Sequence, residues 1–376
     1  MKKVFLKSQI KIMVLLMVLL LSMVFAGCSN DKENDKDTDK NKQNIETEED
    51  IEDKETENQD TKDQDTEILD DEDHEEVKEK VSINVAALRG PTGMGMVKIM
   101  EDAENGNTAG AYKFTVAGEA DVISTGLISG DFDIAAVPCN LASVLYNKTE
   151  GKISILGINT LGVLYIVETG DSIETVEDLR GKTIYSTGYG TTPQYTLNYL
   201  LSANGIDPEK DVTIEYKTEA TEVAALLGGS AEGIAMLPQP YVTTVMMNND
   251  KVRVALDINE EWTRQNEDGS GVVTGVVVVN NDFLEKNPEA VEAFMKEYAE
   301  SASFVNENID DAAMLIEKHD IFKAAVAKKA IPYCNITFIS GQDMKEMVEA
   351  YLNVLYNQNP KAVGGEMPAD DFYYVN

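Results

Sequence analysis

Tyr112-Lys-Phe-Thr-Val-Ala-Gly-Glu119-Ala120 and Val212-Thr-Ile-Glu-Tyr-Lys-Thr-Glu219-Ala220 lie 100 residues apart, and at the same offset Ile134-Ala-Ala-Val-Pro138 faces Ile234-Ala-Met-Leu-Pro238. Each stretch reads as a strand, with a turn into a helix after it, so the chain is read as an α/β unit written twice. Extended upstream without a gap, the repeat sets Gly90-Pro91-Thr92 against Gly190-Thr191-Thr192, each between a strand-like and a helix-like run. Alternating short β-rich and helical stretches predict an α/β fold. In open parallel sheets, ligands bind beyond the carboxyl ends of the strands, where the first N–H groups of the next helix lack partners. Two such units facing one another form a cleft. Its expected lining is residues 89–94, 118–120 and 139–140 from the first copy, and 186–193, 218–220 and 239–241 from the second.

Beyond the repeat, residues 272–280 read as a β-branched strand. Val291, Phe294, Met295, Tyr298 and Ala302, then Met344, Met347, Val348, Tyr351, Leu352 and Leu355, stand at helical spacing and predict two long helices packed on the core. These elements are expected to complete the first unit.

The other end of the chain differs. Lys2, Lys3, Lys7 and Lys11 precede an apolar run from Ile12 to Phe25 that ends in the small residues Ala26 and Gly27 before Cys28. Residues 1–27 read as a signal peptide. Residues 29–80 hold 24 acids against 8 Lys and few apolar side chains, so residues 28–80 are expected to be a disordered acidic tether.

The 376 residues include 32 Lys plus Arg, 67 Asp plus Glu, three Cys and two His, for a net charge of −35. Scarce thiol and imidazole argue against a Cys/His metal cluster and against histidine-based catalysis. With the +4 of residues 1–28 and the −16 of residues 29–80 set aside, residues 81–376 carry −23. A body of that charge repels phosphate backbones, so no nucleic-acid partner is expected. No Gly-x-Ser-x-Gly elbow, Walker loop or His-Glu-x-x-His segment occurs. The expectation is therefore no catalytic residue, no metal and no cofactor, with His319 read as a solvated surface residue.

Two ligand chemistries remain open. Arg89, one of only four Arg, stands beside a predicted helix start and could grip an oxyanion in two places. Thr92, Ser186, Thr187 and Thr191 offer hydroxyls, Gly93 allows close approach to the backbone, and Gly118 belongs to the expected lining. Alternatively Tyr189 and Tyr241 could stack on a flat ring whose donors and acceptors are read by Gln239 and Asn140, with Cys139 beside them. Each also has an ordinary structural role, as a cap, a turn residue or core packing. Cys139 and Cys334 could pair, with buried free thiols the default.

Phe25-Ala26-Gly27-Cys28 resembles the bacterial lipobox, with Phe25 where Leu is usual, which implies cleavage before Cys28 and lipidation of its thiol. Together with that signal and the tether, Gly130-Asp-Phe-Asp-Ile-Ala-Ala-Val-Pro138 and Thr175-Val-Glu-Asp-Leu-Arg-Gly-Lys-Thr-Ile184 resemble the solute-binding lipoproteins of ABC importers. More narrowly they resemble the nitrate/sulfonate/taurine and thiamine-pyrimidine-precursor group (SsuA/THI5-like, NMT1), over residues 83–356. The resemblance implies a type II periplasmic-binding-protein fold, with a ligand cleft between two lobes joined by two crossing strands. Those crossings are expected near residues 167–172 and 271–277, giving lobes built from 81–170, 171–274 and a return of 275–376 to the first. It further implies a monomeric, lipid-anchored extracytoplasmic receptor that closes on a sulfonate-like oxyanion or pyrimidine-like ring and delivers it to a permease. Two other readings are a surface adhesin and a THI5-like enzyme of thiamine-pyrimidine synthesis; those enzymes carry a Cys-rich iron motif that this chain lacks.

Overall fold

The computed structural model describes residues 79–229, 232–266 and 271–375. The expected signal peptide, the lipidation site Cys28 and the tether up to residue 78 lie outside the described residues.

The first copy of the repeat runs β1 (Ser82–Leu88), α1 (Pro91–Met94), α2 (Val97–Glu104), β2 (Ala111–Ala117), α3 (Ala120–Ser129), β3 (Ile134–Pro138), α4 (Cys139–Lys148) and β4 (Ile153–Thr160). After β5 (Leu164–Thr169), the second runs β6 (Thr183–Ser186), α5 (Thr192–Ala203), β7 (Thr213–Tyr216), α6 (Ala220–Gly229), β8 (Gly233–Pro238), α7 (Tyr241–Asn248) and β9 (Val252–Asp257), then α8 (Ile258–Gln265). The tail supplies β10 (Gly275–Asn280), α9 (Asn281–Lys286), α10 (Pro288–Glu307), α11 (Ile309–Lys318), α12 (Ala324–Ala330), β11 (Ile336–Ile339) and α13 (Gly341–Gln358).

Two sheets result, ordered β11-β4-β10-β3-β1-β2 and β7-β6-β8-β5-β9. In each, three parallel strands (β2-β1-β3, β7-β6-β8) are followed by an antiparallel one (β10, β5), and then by β4 or β9. The duplication read from the sequence is thus also a duplication of strand order. Central and edge strands follow their composition. β10 is a run of valines, with Val276 and Val278 packed on one face of the first sheet and Val277 and Val279 on the other. The edge strand β2 instead alternates exposed and half-buried residues.

The structure corrects two expectations. β5 pairs with β8 and β9, so the first passage between sheets is at residues 161–163. Residues 167–172, where that crossing was expected, are the end of β5 and the turn after it, so the second sheet begins before residue 171. The ungapped repeat also slips. Val85 and Ile184 hold equivalent places against Ile134 and Ile234, 99 residues apart, whereas the helix caps Gly90 and Thr191 are 101 apart. The β6–α5 loop is therefore two residues longer than its counterpart.

Ile123, Leu127, Leu145 and Tyr351 cover one face of the first sheet, and Ile99, Phe294, Tyr298 and Ile316 the other. The first of these cores continues without a break through Trp262, Leu197, Met236 and Ile166 of the second half. Gly157 of β4 admits the Phe338 ring: a Cβ there would lie 2.8 Å from it. The tail is tied down by Phe372, which is buried, and by Tyr374, whose N–H donates to the Ile155 carbonyl at 3.0 Å. Cys139 and Cys334 are buried free thiols belonging to cores on opposite faces of the first sheet, so no disulfide joins them.

Candidate functional site

A cavity of about 350 Å³ lies at the carboxyl ends of the parallel strands, between the two sheets. The β1–α1 and β2–α3 loops line one side, with Arg89, Pro91, Thr92, Gly118, Glu119 and Asp121. From the second copy come Thr187, Gly188, Tyr189, Thr191, Pro193, Lys217, Glu219 and Tyr241. Thr160, Val163, Leu164 and Thr274, where the chain passes between sheets, complete the lining. Pro138 and its repeat counterpart Pro238 line the wall together with Pro91 and Pro193, so much of it is rigid and apolar.

Charge is concentrated at the rim. Arg89 is half-buried; its Nη1 donates to the Asp320 carbonyl at 2.7 Å and its backbone N–H to the Ala117 carbonyl at 2.8 Å. Lys217 donates to Glu215 at 3.2 Å and lies over the Tyr185 ring. Glu119, Asp121 and Glu219 are exposed carboxylates. Glu219 accepts from the Thr221 hydroxyl at 2.9 Å, and a Cβ added to Gly118 would lie 3.3 Å from its other oxygen. The equivalent loops of the two copies therefore meet across the cleft, and glycine at 118 keeps the gap open.

Two tyrosines flank the opening. Tyr241 is buried with its ring 5.1 Å from Phe322. Burial pushes its phenol up to about 12, with Arg89 opposing and Glu219 adding to the rise. Tyr189 is 74% exposed and meets Tyr216 edge-on at 5.4 Å. At the passage between sheets, the Thr274 N–H donates to the Thr160 carbonyl at 3.0 Å, but the hydroxyl oxygens of both threonines lack a hydrogen-bond partner. Thr160 is only 1% exposed, and its hydroxyl is one of eleven buried side-chain atoms without a hydrogen-bond partner among the described residues.

Of the residues expected from sequence, Arg89, Thr92, Gly118, Thr187, Tyr189, Thr191 and Tyr241 line the cavity. Five others do not, and each has a structural task. Gly93 lets the first helical turn pack on β1, since a Cβ would come within 3.0 Å of the Leu88 carbonyl. Cys139 lies in the core. Asn140 donates to the Ala362 carbonyl at 2.9 Å and accepts from the Thr192 hydroxyl at 3.1 Å. Ser186 is buried at the end of β6, donating to the Thr187 carbonyl. The Gln239 side-chain oxygen accepts from Thr243 N–H and Oγ1 at 3.2 and 2.8 Å, fixing the first turn of α7. Thr160, Val163, Leu164, Lys217 and Thr274 were missed. Lys217 sits one residue before an expected loop; the others flank the crossings, one of which had been misplaced.

His319 also departs from expectation. Its side chain is 11% exposed rather than solvated, and burial lowers its pKa. Glu101, Glu104 and His319 bring ligand atoms within 4.8 Å of one another away from the cleft, but the Lys318 ammonium already bonds both carboxylates.

Duplicated α/β halves joined by two chain crossings around a cleft define a protein of the periplasmic-binding-protein fold. The family model described as NMT1/THI5 like matches residues 151–312. Among solved structures, an ABC transporter from Parabacteroides distasonis is 25% identical, with 78% of this chain and 99% of that chain covered at a TM-score of 0.65. The alkanesulfonate-binding protein SsuA from Xanthomonas axonopodis pv. citri, bound to MOPS, is 13% identical, covering 74% and 94% at a TM-score of 0.61. The periplasmic aliphatic sulphonate binding protein SsuA from Escherichia coli is 15% identical, covering 76% and 96% at 0.62. The last two likenesses concern the fold. A search of curated proteins finds no match. The resemblance to the SsuA/THI5-like group is thereby borne out.

Proposed function

We propose that this chain is the extracytoplasmic solute-binding receptor of an ABC importer, tethered to the membrane through Cys28, which closes its two halves on a small molecule and presents it to a permease. The observation that carries this reading is the cavity at the carboxyl ends of both sets of parallel strands, with orphaned hydroxyls where the two halves join. Closure about such a joint buries the solute and changes the outer surface, and the solute shifts that equilibrium only by its extra affinity for the closed form. The family match over residues 151–312 supports the same reading.

The test is a thermal-shift screen of the refolded, solute-free chain against sulfonates, nitrate, carboxylates, pyrimidines, thiamine, flavins and organic amines. A true solute at 100 times its dissociation constant stabilises by about 2.7 kcal/mol, a shift of several degrees. Saturable stabilisation by one class is the expected result; no response from any class would count against the receptor reading.

A further inference from the structure

The charges around the cleft are arranged in depth. The groups at the passage between sheets are uncharged: two threonine hydroxyls without partners, Val163 and Leu164. The charged lining residues are half-buried or exposed. Among them negative charge prevails. Lys217 is answered by Glu215 at 3.2 Å, and one Arg89 nitrogen is taken by the Asp320 carbonyl. Among the described residues, Glu119, Asp121 and Glu219 form no ion pair.

Acids stand at two of the helix starts that line the cavity, whereas α1 and α5 have none in their first turns. Glu119 occupies the cap position of α3 and Asp121 its first turn, while Glu222 lies in the first turn of α6. A bare oxyanion approaching α3 or α6 would meet these carboxylates. It would also climb the field of a body carrying −23 over residues 81–376, which draws cations toward an acidic opening.

We propose that the cleft selects a small organic cation, with an ammonium group held at the rim by Glu219 and its neighbours and an uncharged hydrogen-bonding group seated on Thr160 and Thr274. This rests on the receptor reading and gives it a ligand class. The apolar body of the ligand lies between the tyrosines and the prolines. Thr160 and Thr274 read its inner end at the joint between the halves, so the same hydrogen bonds that recognise the ligand favour closure.

Three probes sharing one ring test it by isothermal titration on the whole chain: 4-(aminomethyl)benzamide, benzamide and 4-carbamoylbenzenesulfonate. The ammonium probe is expected to bind at least about tenfold tighter than the sulfonate, since a rim carboxylate attracts one and repels the other. Glu219→Gln should shrink that difference. Thr160→Val should weaken the ammonium probe by about tenfold through loss of a hydrogen bond, while Thr160→Ser, which keeps the hydroxyl, should not. Equal or tighter binding of the sulfonate overturns the inference and leaves the receptor reading standing. Unchanged affinity in a folded Thr160→Val variant overturns the role of the joint. Failure of all three probes, with sulfonates or other anions binding in the wider screen, overturns the ligand class alone; failure of every compound overturns both.

Discussion

The hydroxyls of Tyr351 and Thr196 share a hydrogen bond of 2.9 Å, and the Trp262 ring lies 5.2 Å from that of Tyr351. Tyr351 belongs to α13, packed on the first sheet, whereas Thr196 and Trp262 belong to α5 and α8 of the second half. All three side chains are fully buried. The halves are therefore joined by a continuous apolar seam as well as by two passages of chain, and the closure proposed above would pivot about it.

Removing that seam should unfold the protein as a whole. Trp262→Ala is expected to cost about 3–5 kcal/mol through the cavity it leaves. Tyr351→Phe, which strands the Thr196 hydroxyl, should cost about 1–2 kcal/mol. Urea unfolding followed by circular dichroism reads both; two separate transitions in Trp262→Ala would show that the halves fold independently.

Acid stability should depend on Glu168. Burial alone would raise its pKa, but N–H bonds from Ile173 and Ser172, the Ser172 hydroxyl and the Arg253 guanidinium together hold it below the ordinary value of 4.5. A depressed folded-state pKa contributes stability above the unfolded value, and that contribution is lost as pH falls through the folded one. Glu168→Gln should therefore lose about 1–3 kcal/mol at neutral pH and show a flatter decline below about pH 4.5. Parallel slopes for the two proteins would remove Glu168 from the account.

The thiols of Cys139 and Cys334 are fully buried, and burial pushes both pKa values upward. Thiolate is the reactive form, so both should resist iodoacetamide in the native state and react promptly in urea. Mass spectrometry counts the adducts; rapid native labelling of either residue would contradict its place in the core.

Gly118 tests the cleft without touching the core. A leucine there projects toward Glu219, 3.3 Å from the position of a Cβ, and fills the opening between the two loops. Gly118→Leu should leave the unfolding free energy within about 0.5 kcal/mol of the parent and abolish stabilisation by a solute. Retained binding would place the solute elsewhere.

The architecture was legible because duplication leaves a signal at the level of whole elements. α3 and α6 begin at Ala120 and Ala220, as the repeat requires. The long amphipathic helices of the tail were equally plain from Phe294 and Tyr298, or Tyr351 and Leu355, at helical spacing. The site was half legible, since its loops follow from strand polarity. Gln239 and Asn140 lie outside the cavity lining, and an amide that caps a helix or holds a loop carbonyl looks, in sequence, like one that reads a ligand. Thr160 was invisible for another reason. It closes the buried run Ile153–Thr160, and nothing in that run marks the residue after which the chain leaves one sheet for the other.

β10 lies between β3 and β4 in the first sheet, yet it follows the entire second half in the chain. A ribosome therefore makes most of the first sheet long before the strand that fills its middle. Until residue 280 has emerged, β3 and β4 each keep an unpaired edge, and such edges invite pairing with other chains. A polypeptide released early would carry a complete strand set for the second sheet beside an open slot in the first. Order of synthesis and order of assembly run in opposite senses here, and the last third of the chain sets when the first half can become native.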